Sequence, residues 1–345
     1  MKKKTFILTA ILITSIIFGG GCENQTVTLP PDPPPPAITG AIILTTSNTG
    51  THWQSHTIQG LTGNYASVSR ITSFVYDLNS LCILATDGNY PNTGYIMNSG
   101  DAGENWTTAV TTDGDYMYDM TKTGTDGKGF CLQGGLIKMT TDNGSNWSDV
   151  QSIIMSSGLR TIDFSDVLRG MIISGVYYES NYITTNGGSN WTPVPPVPDS
   201  AGNSNAVKFT GSFSHTEAVV CGSNGKIYRT SDMGYTWSES SSPTTEQLNG
   251  IGFYDPVGII VGNNGTILRT SDGGYFWEAV PSGVTNILRK VFVESSYYWA
   301  VGDGVILKSS DQGQTWTVVR SVQGEYYKDL YFSKDAGIVV GSGHY

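Results

Sequence analysis

The sequence has few charged residues, few histidines and few cysteines. Charged residues make up 14% of the 345 positions, about half the usual share. The four histidines are dispersed and lack the spacing of a metal-ligand set, so no metal or cofactor is predicted. The hydrophobic fraction of 38% and the aromatic fraction of 11% indicate a globular chain with enough apolar material for a large core.

Basic residues are the scarcer of the two charge classes. The chain has 19 Lys and Arg against 29 Asp and Glu, a net charge of -10. Without Lys2, Lys3 and Lys4, which precede an apolar stretch at the N-terminus, 16 basic and 29 acidic residues remain, a net charge of -13. This balance argues against nucleic acid as a partner.

The sequence lacks an apolar run long enough to span a bilayer. The N-terminal run, Thr5 to Phe18, has 14 residues, whereas a spanning helix needs about 20. Three lysines before it and Gly19-Gly20-Gly21-Cys22 after it are typical of an export signal over residues 1–21. This ending resembles the lipobox of bacterial lipoproteins, although Gly19 stands where that family usually has Leu. The resemblance implies lipidation of Cys22 and an anchor in the cell envelope, at the outer membrane on its periplasmic or surface side; plain secretion is the alternative.

Residues 22–38 are rich in proline. The segment ENQTVTLPPDPPPPAITG excludes a helix or a central strand and favours an extended polyproline conformation. We therefore expect a linker between Cys22 and the folded domain.

One motif, Ser/Thr-x-Asp/Asn-x-Gly-x-x-Trp, occurs seven times in the rest of the chain. Its copies account for seven of the eight tryptophans. Successive copies are 53, 41, 44, 46, 40 and 39 residues apart, the length of one four-stranded propeller blade. The motifs end at Trp53, Trp106, Trp147, Trp191, Trp237, Trp277 and Trp316.

Each repeat contains four short apolar runs separated by Gly, Asn and Asp. In one copy these runs are LNGIGFYD, VGIIVGN, GTILRTSD and YFWEAV, which predict four antiparallel strands. The chain begins with half a repeat and ends with the other half. We therefore predict an all-β fold over residues 39–345, a single seven-bladed propeller closed by pairing strands from Lys328–Ser342 with strands from Ala41–Thr57.

The repeated motif resembles the Asp-box of sialidases and related propellers (BNR repeats). A Ser or Thr hydroxyl and an Asp carboxylate can accept hydrogen bonds within the turn, Gly permits a left-handed conformation, and Trp covers the core. Asn48 and Asn186 replace the acid in two copies, which preserves hydrogen bonding but not proton transfer. The motif therefore predicts a structural role for Asp101, Trp106, Asp142, Trp147, Trp191, Asp232, Trp237, Asp272, Asp311, Trp277 and Trp316.

Whole blades such as VGNNGTILRTSDGGYFW and CGSNGKIYRTSDMGYTW resemble the photosystem II assembly and stability factor family. That family consists of seven-bladed, often lipid-anchored propellers. The resemblance covers about residues 39 to 345 and implies a binding scaffold without catalytic activity, although fold does not determine function. The Pro-rich linker and the Asn/Thr-rich blades depart from the usual appearance of that family.

The sequence supports an enzymatic function less than it supports a binding function. A sialidase needs an Arg-Ile-Pro-like motif near its start, and Arg70-Ile71-Thr72 lacks the proline. Xyloglucanases have a similar blade type, but that family builds its cleft between two propellers and this chain is long enough for one. A glycan hydrolase or a glycan-binding protein of the sialidase type remains the alternative function.

Three cysteines follow Cys22, and each falls in the second strand of a predicted blade. Cys82, Cys131 and Cys221 lie in apolar runs, which favours buried small residues. A disulfide between neighbouring blades is the alternative in an oxidising compartment.

Cations recur at the start of the predicted innermost strands. Aligning the blades on the innermost strand places four cations at one position. The aligned residues are Arg70, Tyr116, Arg160, Asn205, Asn249, Arg289 and Lys328. This position predicts a shallow axial funnel on the face opposite the Asp-box hairpins. Two longer loops add Tyr90, Tyr177 and Tyr178. Guanidinium groups beside aromatic rings suit a carboxylate, so we expect the funnel to bind another protein, an acidic peptide or an acidic glycan. We also expect the protein to be a monomer.

Overall fold

The computed structural model describes most of the predicted propeller. The described residues are 40–56, 58, 61, 66–73, 78–87, 93–113, 117–150, 158–175, 179–198, 204–211 and 215–343. All of them belong to one compact unit, Pro36–Tyr345. The predicted signal and linker, including Cys22, lie outside the described residues, as do Tyr90, Tyr116, Tyr177 and Tyr178.

The described residues form an all-β propeller with four-stranded antiparallel blades. Five sheets each contain four strands. Sheet I is β3 (Ser67–Ser73), β4 (Leu81–Thr86), β5 (Thr93–Ser99) and β6 (Thr107–Asp113). Sheet II is β7 (Met117–Lys122), β8 (Gly129–Gln133), β9 (Leu136–Thr140) and β10 (Ser148–Asp149). Sheet III is β11 (Leu159–Phe164), β12 (Gly170–Ser174), β13 (Asn181–Thr184) and β14 (Thr192–Val194).

The same pattern continues in the next two sheets. Sheet IV is β15 (Ser204–Phe209), β16 (Ala218–Gly222), β17 (Ile227–Thr230) and β18 (Ser238–Ser240). Sheet V is β19 (Leu248–Tyr254), β20 (Val257–Gly262), β21 (Ile267–Thr270) and β22 (Glu278–Ala279). The one helical element among the described residues is a 3-10 turn at Ser223–Gly225, and no helix there is long and apolar enough to cross a membrane.

Sheet VI joins the two ends of the described chain. Its six strands are β23 (Leu288–Val293), β24 (Tyr298–Ser309), β25 (Thr317–Ser333), β26 (Ala336–Gly343), β1 (Gly40–Thr46) and β2 (Gln54–His56). β1 pairs with β26 from Gly40 opposite Gly343 to Thr46 opposite Gly337. The predicted pairing of the first and last strands is therefore present.

The prediction of seven blades is wrong in its count, because the described strands form six hydrogen-bonded sheets. β25 is a continuous strand of 17 residues. Its first part pairs with β24, and its second part, from Glu325 to Ser333, pairs with β26. The last two predicted blades thus share one sheet. Backbone hydrogen bonds do not join the six sheets into a closed ring.

The core lies between neighbouring sheets and is densest at the second strand of each. β8, β12 and β16 are buried at every position. The predicted positions of Cys82, Cys131 and Cys221 in second strands are confirmed, and all three are buried, free thiols. Burial raises the pKa of the Cys221 thiol to about 12, so this thiol stays protonated and behaves as a small apolar group.

The Asp-box turns have the predicted hydrogen bonds. In all seven copies the Ser or Thr hydroxyl accepts the backbone N–H of the glycine four residues later, at 2.8–3.2 Å. The same hydroxyl donates to the Asp or Asn side chain. The seven glycines have φ between +79° and +93°, a region that side chains rarely adopt. The motif is thus a self-contained turn.

Candidate axial binding site

The innermost strands surround a central cavity of about 580 Å³. Residues of β3, β7, β11, β15, β19, β23 and β25 line it. Its lining contains five cations and three anions, namely Arg70, Lys122, Lys208, Arg289, Lys290, Asp119, Asp163 and Asp329. The cavity lining is therefore positive in a chain whose net charge is -10.

Each innermost strand has a one-residue irregularity near its start or, in β25, near the start of the part that pairs with β26. The register with the second strand skips one residue in every case: Ser69, Tyr118, Arg160, Asn205, Asn249, Arg289 and Lys328. Such bulges redirect the side chain at the skipped position. The skipped positions coincide with the predicted alignment at the last five residues, whereas Arg70 lies one residue after the skipped position of its strand. Tyr116 lies outside the described residues.

Arg70 links two sheets. Its Nε donates to Asp119 Oδ1 at 2.9 Å, and the Arg70 side chain is 26% exposed. Asp119 also accepts hydrogen bonds from the Thr161 hydroxyl at 2.8 Å and the Ile162 backbone N–H at 3.1 Å. Burial raises the pKa of the Asp119 carboxyl, but the charges of Arg70 and Lys290, together with the hydrogen bonds from Thr161 and Ile162, outweigh that effect and lower the pKa. Asp119 therefore remains ionised and connects sheets I, II and III.

Arg289 and Lys328 bring further positive charge close to Arg70. Arg289 donates two hydrogen bonds to Asp303, at 2.6 and 3.0 Å, and its side chain is 38% exposed. Lys328 Nζ donates to Ser67 Oγ at 2.7 Å. Burial, and then the charges of Arg289 and Arg70, lower the pKa of the Lys328 amine. We call Arg70, Arg289 and Lys328 the cation cluster. The charges of both arginines act on Lys328, while Asp119 and Asp303 pair with Arg70 and Arg289.

Other polar residues of the innermost strands tie neighbouring sheets together. Asn205 Nδ2 donates to Leu248 O at 2.7 Å, and Asn249 Nδ2 donates to Leu288 O at 2.8 Å. Asp329 accepts the Ile71 backbone N–H at 3.2 Å. These side-chain bonds connect sheets that no backbone ladder joins.

Of the remaining predicted site residues, Arg160 alone lies in the described part of the chain. Arg160 is exposed and makes one long hydrogen bond, 3.4 Å, to Asn205. Sequence reasoning missed the carboxylates Asp119, Asp163 and Asp329. The sequence feature that could have identified these carboxylates is an acidic residue in an otherwise apolar innermost strand, as in the run DLYFS that begins at Asp329.

A Tyr–Glu pair, which a sialidase would need as its nucleophile, lies buried in β25. The Tyr327 hydroxyl donates to Glu325, and Arg320 Nε donates to the Tyr327 oxygen at 2.7 Å. Glu325 is 4% exposed and Tyr327 is fully buried. A substrate cannot reach this pair, so it stabilises the strand β25. In the described part of the chain no group of three or more His, Cys, Asp or Glu could hold a metal ion.

Comparisons with known proteins agree with the propeller fold. Residues 236–320 match the family model described as photosynthesis system II assembly factor YCF48. A search of curated proteins finds no match. The chain is similar to the solved structure of YCF48 bound to a D1 peptide, with 19% identity, a TM-score of 0.62, and coverage of 90% of this chain and 97% of that chain.

Two further solved structures are also similar. YCF48 from Cyanidioschyzon merolae has 17% identity and a TM-score of 0.62, covering 81% of this chain and 94% of that one. The GH74 enzyme from Niastella koreensis has 14% identity and a TM-score of 0.61, covering 84% of this chain but 55% of that one. At these identities the likeness shows the fold alone.

Proposed function

We propose that this propeller is a non-enzymatic binding scaffold that recognises a carboxylate-bearing protein or peptide on its axial face. The observation that carries the proposal is the cation cluster of Arg70, Arg289 and Lys328 in a chain of net charge -10. Arg70 and Arg289 line a cavity with five cations and three anions. An anion is repelled by most of the surface and attracted here.

The chemistry of the cluster suits a carboxylate. Arg289 is partly exposed, and its Nε and Nη2 bind the carboxylate of Asp303, the two-bond geometry typical of an Arg–carboxylate pair. A ligand carboxylate next to Lys328 would relieve the repulsion that lowers the pKa of that amine. The similarity to a YCF48 structure bound to a D1 peptide also supports a peptide as the ligand.

The test is the affinity for acidic peptides with a free carboxyl terminus, with the amidated peptides for comparison. We expect the double variant Arg289→Gln/Lys328→Gln to bind the free-acid peptides about tenfold more weakly, about 1.4 kcal/mol. The matched control is Lys138→Gln/Lys226→Gln, which makes the same charge change at ion pairs with the exposed residues Asp149 and Glu239. Equal affinity of both double variants would refute the proposal.

We propose further that the protein is exported and anchored to the cell envelope through lipid on Cys22, and that it is a monomer. The apolar run Thr5–Phe18 followed by Gly19-Gly20-Gly21-Cys22 supports the anchor. Palmitate labelling of the full chain should be lost in Cys22→Ser, and persistent labelling would refute it. Light scattering of the domain without its signal should give the mass of one chain.

The alternative function is glycan hydrolysis on the same fold. The GH74 structures from Niastella koreensis and Xanthomonas campestris favour it, since they cover 84% and 86% of this chain. Against it, the chain spans about half the length of those enzymes, and the Tyr327–Glu325 pair is inaccessible. A screen of the purified domain with fluorogenic sialosides and xyloglucan oligosaccharides should detect no turnover, and turnover would favour the enzyme.

A further inference from the structure

We propose a second site at the other end of the innermost strands, which binds a neutral hexopyranose unit of a glycan. It is an open pocket of about 440 Å³ where β11, β15 and β19 end. The cation cluster lies instead where innermost strands begin. Six of its ten lining residues also line the central cavity, but Arg70, Arg289 and Lys328 do not line the pocket, and the inference goes beyond the proposed function.

An aromatic ring forms one wall of the pocket. Phe253 faces the core, where its ring packs edge to face against Trp277 with centroids 6.0 Å apart. The alternation of side chains along β19 turns the next residue, Tyr254, outward, and Tyr254 is 50% exposed. Because Tyr254 lines the pocket, its ring offers a flat apolar surface beside polar groups.

Two loops meet beside this ring. A Cβ atom added at Gly211 would lie 3.4 Å from the Asp255 Cβ, so the segment after β15 touches the segment after β19. Asp255 is exposed and lines the pocket. Its carboxylate supplies hydrogen-bond acceptors at the rim.

The inner side of the pocket carries donors and hydroxyl groups. Lys208 Nζ donates to Asp163 Oδ1 at 2.7 Å, and the Lys208 side chain is 39% exposed. Ser165 Oγ donates to the His215 carbonyl at 3.1 Å. Thr210 is 1% exposed, and its hydroxyl has no hydrogen-bond partner among the described residues. A buried hydroxyl without a partner is costly, and a ligand hydroxyl in this pocket would satisfy it.

The charge of the pocket selects the ligand class. Its ionisable lining consists of Asp163, Lys208 and Asp255, of which the first two neutralise each other, so an anion is disfavoured here. A neutral pyranose fits the remaining groups, because its C–H face can pack on an aromatic ring while its hydroxyls donate to carboxylates and accept from amines. A pocket of this size with a few polar groups suits a small ligand.

The experiment is calorimetric titration of the folded protein with neutral tetrasaccharides: β-1,4-glucan, β-1,3-glucan, α-1,4-glucan and β-1,4-mannan. We expect at least one to bind, Tyr254→Ala to weaken its binding at least about tenfold, and Tyr254→Phe to retain it. Thr210→Val, which removes the hydroxyl at constant shape, should weaken binding about threefold. The matched control is Tyr235→Ala, since Tyr235 is 54% exposed and does not line the pocket.

Three results would overturn the inference. They are the absence of binding by all four tetrasaccharides, an equal loss of affinity in Tyr235→Ala and Tyr254→Ala, and Tyr254-dependent binding of a lysine-rich peptide in place of the sugars. Arg289→Gln/Lys328→Gln should leave sugar binding unchanged, which separates a failure at this site from a failure of the proposed function.

Discussion

At the scale of the residue, each Asp-box turn depends on a hydroxyl that both accepts and donates a hydrogen bond. Ser309 accepts the Gly313 N–H at 2.9 Å and donates to Asp311 at 2.8 Å, and it is 2% exposed. Without the hydroxyl, a buried backbone N–H has no acceptor. The replacement of Asp by Asn48 and Asn186 in two copies shows that the turn needs an acceptor here and not an acid.

The first prediction compares two adjacent serines. Ser309→Ala should lower the free energy of unfolding by about 1–3 kcal/mol, because it leaves the Gly313 N–H unsatisfied. Ser310→Ala, at an exposed position, should change it by less than about 0.5 kcal/mol. Urea denaturation measures both values, and similar values for the two variants would contradict the role of the hydroxyl.

The second prediction concerns the acid of the same turn. Burial raises the pKa of the Asp311 carboxyl, but hydrogen bonds from Thr315 and Ser309 outweigh it and lower the pKa to about 2 from 3.8. The ionised carboxylate therefore stabilises the fold above pH 4, and this contribution is lost as the pH falls from about 4 to 2. The stability advantage of wild type over Asp311→Asn should shrink across that window in urea titrations. An advantage independent of pH would contradict this account.

At the scale of the element, the innermost strands are joined by buried carboxylates. Asp119 accepts bonds from residues of sheets I and III, as described for Arg70, Thr161 and Ile162. Its removal leaves a half-buried guanidinium and a backbone N–H without their acceptor.

The third prediction follows from that contact. Asp119→Ala should lower the free energy of unfolding by at least about 2 kcal/mol. Asp149→Ala, which breaks an ion pair of 2.6 Å whose Asp side chain is 51% exposed, should cost less than about 1 kcal/mol. If chemical denaturation gives equal values for the two variants, the carboxylate of Asp119 does not hold the sheets together.

The sequence was sufficient to predict most of the strand pattern but less of the candidate site. Apolar runs and the spacing of Trp53 to Trp316 were enough for the strand pattern, because each box turn is a local structure. The position of Arg70 was misjudged by one residue, because the bulge at Ser69 depends on pairing with β4. Both Ser69 and Arg70 are polar, so no local pattern separates them.

At the scale of the whole molecule, the repeats alone predict neither the number of sheets nor which cations are paired with carboxylates. The continuity of β25 merges two predicted blades into one sheet, and the repeat count contains no signal for it. The carboxylates Asp119 and Asp303, which bind Arg70 and Arg289, come from other strands, so only the folded chain shows which cations they neutralise.

The measurement that tests the central claim most directly is photo-crosslinking of an acidic peptide that carries a photoreactive residue next to its free carboxyl terminus, with mapping by mass spectrometry. We predict crosslinks near the starts of β3 and β23, around Arg70 and Arg289, and around Lys328 in the part of β25 that pairs with β26. These crosslinks should be lost when the peptide is amidated. Crosslinks at the Asp-box turns or the outermost strands, or crosslinks that persist after amidation, would contradict an axial carboxylate site.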